Sequence, residues 1–219
     1  MSATEKMLYP VIGVIAILFV SVLSTNFKSA YASPVGMTLQ DSFVEAARGN
    51  SRSNDQVLKA VENLLLQYPK DPLLTAYYGS TLAIKARESW TPWNRSKYSK
   101  EGLDYLNKAL TLLDENSYSK PYSGLNEGLY IQSLAAITFV NMPEFLHQDE
   151  KGYDMLVSIL NSDNFQYYPF EPRAWIHCGA VKAALERGKK QQAVEWAVEM
   201  YKLAPTHPLT IEAMELVGA

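Results

Sequence analysis

The chain has 219 residues, 47% of them hydrophobic and 20% charged, with a formal net charge of −3; this describes one ordinary globular domain, long enough to bury a core, and excludes a disordered chain. Its 20 basic and 23 acidic residues are interspersed, so general affinity for nucleic acid or an anionic membrane surface has no electrostatic basis.

At the N-terminus Lys6 precedes the apolar run VIGVIAILFVSVL at residues 11–23, and the polar STNFKS leads to Ala30-Tyr31-Ala32. This is the three-part layout of a secretory signal peptide with a small-x-small cleavage site before Ser33. An uncleaved anchor is the alternative, because the apolar stretch extended back to Met7 approaches the roughly 17-residue lower limit for crossing a bilayer. The expected organisation is therefore a signal peptide or anchor at residues 1–32 and one domain at 33–219, exported to the periplasm or held on a membrane facing it. No cysteine lies near the cleavage site, which argues against a lipid anchor. Cys178 is alone in the chain, so no internal disulfide staples the fold.

From residue 37 onward, helix-period segments alternate with short breaks. Helices are expected at about 38–48, 54–68, 72–88, 98–114, 123–141, 149–161, 171–187, 189–204 and 208–217, with no strand pattern of useful length. Asp71-Pro72 places a carboxylate cap ahead of proline at the first helical position, where its missing N–H costs nothing. Glu171-Pro172 and His207-Pro208 put proline in the same role.

Gly79, Gly128 and Gly179 each fall near the middle of the first helix of a pair, at spacings of 49 and 51 residues. A mid-helix glycine costs roughly 1 kcal/mol relative to alanine, so its recurrence calls for a packing reason. Gly102, Gly152 and Ala193 hold a small position in the second helices. Small residues facing each other let antiparallel helices cross tightly, and the period is that of a helical solenoid.

The last unit, RAWIHCGAVKAALERGKKQQAVEWAVEMYKLAP, resembles a tetratricopeptide repeat through Trp175, Gly179, Gly188, Ala193 and Pro205. It departs by two extra residues before the turn, and by Lys182 and Ala197 at positions where an aromatic is usual. Earlier units are degenerate and lengthened to about fifty residues, so the resemblance covers residues 38–219 with one convincing unit and two or three weaker ones. It is also similar, through YYGSTLAIKAR and WTPWNRSKYSKEGLDYLNKAL, to uncharacterised exported bacterial repeat proteins.

The resemblance implies an all-α, antiparallel helix-pair solenoid of about four repeats with a C-terminal capping helix. It also implies a non-enzymatic protein- or peptide-binding scaffold with a concave face lined by the first helices. Carried over in register, that face includes Ser80, Tyr122, Leu125, Gln132, Arg173 and Ile176, a moderately polar set without a cluster of basic clamps.

Trp90 and Trp93 fall on an expected nine-residue connection, and NFQYYPF at residues 164–170 forms a second aromatic link. Large aromatics in loops are costly to expose, so they either pack on a neighbouring helix end or await a partner; packing is the expectation for both tryptophans. A partner would engage Trp90, Trp93, Arg87, Tyr122, Gln132, Arg173, Tyr167, Tyr168 and Phe170. If both aromatic links share one edge of the solenoid, they make a continuous rim.

Catalytic material is sparse, with three histidines and one cysteine. His177 and Cys178 are adjacent on a helix, where their side chains diverge by about 100° and cannot act as base and nucleophile for each other. Cys178 reads as a small core residue. His147, near Glu144 and Asp149, matches no ligand spacing and reads as part of a solvated loop. No metal, cofactor or enzymatic activity is expected. The two functional readings are an envelope scaffold supporting a membrane or exported complex, and a small-ligand-binding or accessory subunit of a transporter.

Overall fold

A computed structural model describes residues 33–218. The expected signal peptide or anchor lies outside the described residues. Among them, no helix is long and apolar enough to cross a membrane.

Residues from Val35 onward form one compact unit of eleven helices and a minimal hairpin. In chain order these are α1 (Met37–Ala47), α2 (Ser51–Gln67), α3 (Pro72–Glu88), α4 (Pro92–Thr111), α5 (Glu115–Ser119), β1 (Pro121–Tyr122), β2 (Leu125–Asn126), α6 (Glu127–Val140), α7 (Asp149–Leu160), α8 (Asp163–Tyr167), α9 (Phe170–Glu186), α10 (Lys190–Leu203) and α11 (Pro208–Val217). A 3₁₀ turn, Glu144–Leu146, lies between α6 and α7.

The helix starts follow from capping chemistry. Asn50, Asp71, Asn126 and Ser162 each accept a hydrogen bond from a backbone N–H in the first turn, satisfying a donor that has no partner inside the helix. Pro72, Pro92 and Pro208 occupy first-turn positions. Gly188 sits at φ 67° in the tight α9–α10 turn, a left-handed conformation that glycine adopts without a Cβ clash.

Consecutive long helices pack as four pairs, α1–α2, α3–α4, α6–α7 and α9–α10, with α11 laid against the last pair. The first helices α1, α3, α6 and α9 stack successively, and α4 and α7 each also touch the first helix of the next pair. The expected all-α helix-pair solenoid with a C-terminal capping helix is the architecture observed.

Three local expectations are corrected. Proline at the first position starts α4 at Pro92 rather than near 98, so the expected nine-residue connection shrinks to residues 89–91. Residues 121–126 form a hairpin instead of entering a helix near 123, because Ser123 and Gly124 both take positive φ, 51° and 79°, as a two-residue hairpin turn demands. Pro172 falls at the third position of α9, still within the first turn, where its missing N–H costs nothing.

The glycine register also differs. A Cβ on Gly79 would meet the Gly102 carbonyl oxygen at 2.8 Å and the Leu106 backbone nitrogen at 2.9 Å, so α3 and α4 do cross at glycine, antiparallel. In the next pair Gly152 lies against Ala136, Phe139 and Val140, which makes Ala136, not Gly128, the counterpart of Gly79. Gly128 lies under the Tyr118 ring, and Gly179 faces Ile137 of the preceding pair.

A run of aromatic rings ties the first helices together. Phe43 meets Tyr77 edge-on at 4.7 Å, Tyr77 stacks on Tyr130 at 6.2 Å, and Tyr130 touches Tyr122 at 4.7 Å and Trp175 at 5.4 Å.

Candidate functional site

The two tryptophans stand where α3 gives way to α4. Ser89 ends α3 in extended backbone, and Thr91 precedes Pro92, so the chain reverses within three residues. Trp90 is 91% exposed and Trp93 is 70% exposed, so neither packs on a helix end as expected. So short a reversal leaves Trp90 no slack to fold back, and Pro92 fixes Trp93 in the first turn of α4.

Beside this turn a pocket of about 330 Å³ opens between the α3–α4 pair and the α6–α7 connection. Ala83, Ala86, Met142 and Pro143 supply apolar walls, and Arg87, Arg95, Ser99 and Asn141 supply the polar groups. Each arginine donates to one backbone carbonyl, Arg87 to Ala47 and Arg95 to Ser89, both at 3.2 Å. Among the described residues neither guanidinium has a carboxylate within ion-pairing distance. Of two acids in this part of the molecule, Glu88 accepts from Asn54 of α2 at 3.1 Å through Oε2, while its Oε1 is buried with no hydrogen-bond partner among the described residues, and Asp55 accepts from Lys85 at 2.7 Å. Ser99 is fully buried, and its hydroxyl has no hydrogen-bond partner among the described residues.

The NFQYYPF segment lies at the opposite end of the helix pairs. α8 is formed from its first residues, Phe165 is buried, and Tyr167 is 87% exposed. The half-buried Tyr168 accepts a hydrogen bond from Asn126 at 2.9 Å, and Phe170 packs on His177 and His207. The two aromatic segments therefore do not make one rim, because antiparallel helices carry a turn at one end and the inter-pair connection at the other. A second pocket of about 230 Å³, lined by residues that include Tyr118, Asn126, Gln132 and Met155, belongs to this far end. Gln132 there donates to the Tyr118 hydroxyl at 3.0 Å.

The concave face carried over from the resemblance is interior at most of its positions. Ser80, Tyr122, Leu125, Arg173 and Ile176 are all buried, and only Gln132 retains partial exposure. The β-hairpin puts Tyr122 and Leu125 into the core, while α8 covers Arg173, whose guanidinium donates to Gln166 at 2.9 Å and rests on the Phe165 ring. As sites for a partner, Tyr122 and Arg173 are thereby corrected.

His177 is fully buried between Phe165 and Phe170. Burial, reinforced by the Arg173 charge, pushes its pKa down to about 4, so the ring is neutral at pH 7. Glu199 lies 3.8 Å from Nε2, beyond hydrogen-bond distance, and its Oε1 already accepts from Gln166, so it does not restore the charge. Burial raises the Cys178 thiol to about 11, the state of an inert core thiol. His147 is exposed at the end of the 3₁₀ turn, and no grouping of three potential metal ligands occurs among the described residues.

No family model, curated protein or solved structure matches this chain. The fold itself defines the class, an all-α repeat protein built from helix pairs. Within it, Trp90, Trp93, Arg87 and Arg95 surround one reversal of the chain. Sequence reasoning found the first three. It missed Arg95 and Ser99 as pocket residues, because a single arginine or serine within a helix carries no motif.

Proposed function

We propose that the chain is a non-enzymatic protein- or peptide-binding scaffold of tetratricopeptide-like design, exported and acting in the cell envelope to support a membrane or secreted complex. The observation that carries this reading is the pair of exposed tryptophans at the α3–α4 reversal, Trp90 within it and Trp93 in the first turn of α4. An exposed indole keeps a large apolar area in water, and burying such anchors is what makes tryptophan dominant in protein interfaces. Each indole has only two rotatable side-chain angles, so ordering it on association costs little for the area it covers.

The test is a crosslinking pull-down from envelope extracts with the full chain, using the Trp90→Ala/Trp93→Ala variant as control. The native chain recovers a defined protein that the variant loses, while the melting temperature stays within about 2 °C because neither side chain contributes to the core. Equal recovery by both forms would overturn the assignment to this end of the molecule. The alternative, a small-ligand-binding or transporter accessory subunit, draws support from the 330 Å³ pocket beside the tryptophans. It requires thermal stabilisation by a small molecule with no protein partner recovered.

A further inference from the structure

Three features of the tryptophan end bear on what it binds. Arg87 and Arg95 line the same pocket, and neither is neutralised by a carboxylate among the described residues. Ser99, which borders the pocket, is fully buried, and its hydroxyl is one of several buried polar atoms with no hydrogen-bond partner among the described residues, although such groups are ordinarily hydrogen-bonded. Of the remaining walls, Ala83, Ala86, Met142 and Pro143 are small or apolar, and Asn141 adds one amide that already donates to the Ile137 carbonyl at 2.7 Å, so most of this surface suits an apolar group.

We infer that this pocket receives an acidic peptide segment of a partner protein, in which a carboxylate lies next to an apolar side chain. The inference rests on the scaffold reading and specifies its partner chemistry. Arg87 and Arg95 retain N–H groups beyond those bonded to Ala47 and Ser89, and the guanidinium fork matches a carboxylate in two-point hydrogen bonding. Ser99 supplies the hydroxyl that a buried carboxylate oxygen needs for its remaining lone pair. The apolar side chain fills the space against Met142 and Pro143, and the tryptophans cover the peptide where it leaves the pocket. A bare inorganic anion would satisfy the arginines and leave those walls wet, which is why a peptide rather than free phosphate fits the lining.

The test is a fluorescence-polarisation titration of the full chain with a fluorescein-labelled peptide of alternating glutamate and leucine. The same peptide with glutamine for glutamate is the control, and inorganic phosphate is the competitor. The glutamate peptide binds about tenfold or more tightly than the glutamine peptide, as expected for charge-assisted bonds. Arg87→Gln/Arg95→Gln abolishes that preference, Ser99→Ala weakens it several-fold, and millimolar phosphate does not displace the peptide. Both arginines are exposed, so their variant keeps its melting temperature, which separates lost binding from lost folding. Equal affinity for the two peptides, an undiminished preference in the double arginine variant, displacement by phosphate, or no binding at millimolar peptide would each overturn the inference. If the pull-down still recovers a tryptophan-dependent partner in any of those cases, the scaffold reading survives and only the acidic chemistry fails.

Discussion

The hydroxyls of Tyr77 and Tyr130 lie 2.8 Å apart inside the solenoid, joining α3 to α6 through a hydrogen bond with no water access. Tyr77 also meets Tyr122 at 3.0 Å, so one side chain serves the hairpin and two stacked first helices. Burial holds all three phenols above their ordinary range, Tyr130 at about 12, so each is protonated and able to donate.

Tyr77→Phe removes the shared partner and leaves two buried hydroxyls to find others, at a cost of about 2 kcal/mol or more. Tyr122→Phe removes one bond at the edge of the cluster and costs about 1 kcal/mol. Urea unfolding of the two variants checks the order; equal losses would mean that Tyr77 does not bridge the pair.

The crossing of α3 and α4 predicts a division among the glycines. Gly79→Ala and Gly152→Ala each press a methyl group against the backbone of a partner helix and destabilise by about 1 to 3 kcal/mol or more. Gly128→Ala and Gly179→Ala meet only the Tyr118 ring and the tip of Ile137, side chains that can move. For Gly179, inside α9, the gain in helix propensity, roughly 1 kcal/mol, offsets the crowding and leaves stability nearly unchanged, whereas Gly128 is the second residue of α6, gains less, and loses an amount between the two groups. Thermal melts of the four single variants provide the comparison, and a Gly128→Ala loss as large as that of Gly79→Ala would restore the simple glycine repeat.

Acid weakens the domain through His177. Its pKa is 6.5 in the unfolded chain and about 4 when folded, so the unfolded chain takes up a proton that the native protein refuses. Stability is intact above pH 6.5, falls as pH drops through that value, and stops falling below about 4. The total loss is on the order of 3 kcal/mol. Urea midpoints at pH 7.5, 5.5 and 4.5 follow the decline, and His177→Leu should remove most of its slope.

Cys178 serves as an internal reporter of opening. Buried, with its thiol raised to about 11, it resists alkylation at pH 8 in the native protein and reacts at the rate of unfolding. Labelling followed by mass spectrometry reads this directly; rapid native labelling would place α9 at the surface.

Local forces are what a short stretch of chain reveals. Asp71-Pro72, Asn50 and the apolar period of 3.6 residues act within a turn or two of the chain, so α3 was legible to the residue and most other long helices to within a few. The stacking of helix pairs followed, because amphipathic helices joined by short links have few other ways to cover their apolar faces. Which small residues cross was settled by contacts between helices rather than within them, where Gly152 meets Ala136 and not Gly128. Exposure was settled by such contacts too. Arg173 went inside because α8 covers it, and Trp90 and Trp93 stayed out because Pro92 starts α4 early and leaves the reversal too short to turn them inward. Burial depends on what arrives from elsewhere in the chain, and no periodicity within a segment encodes that.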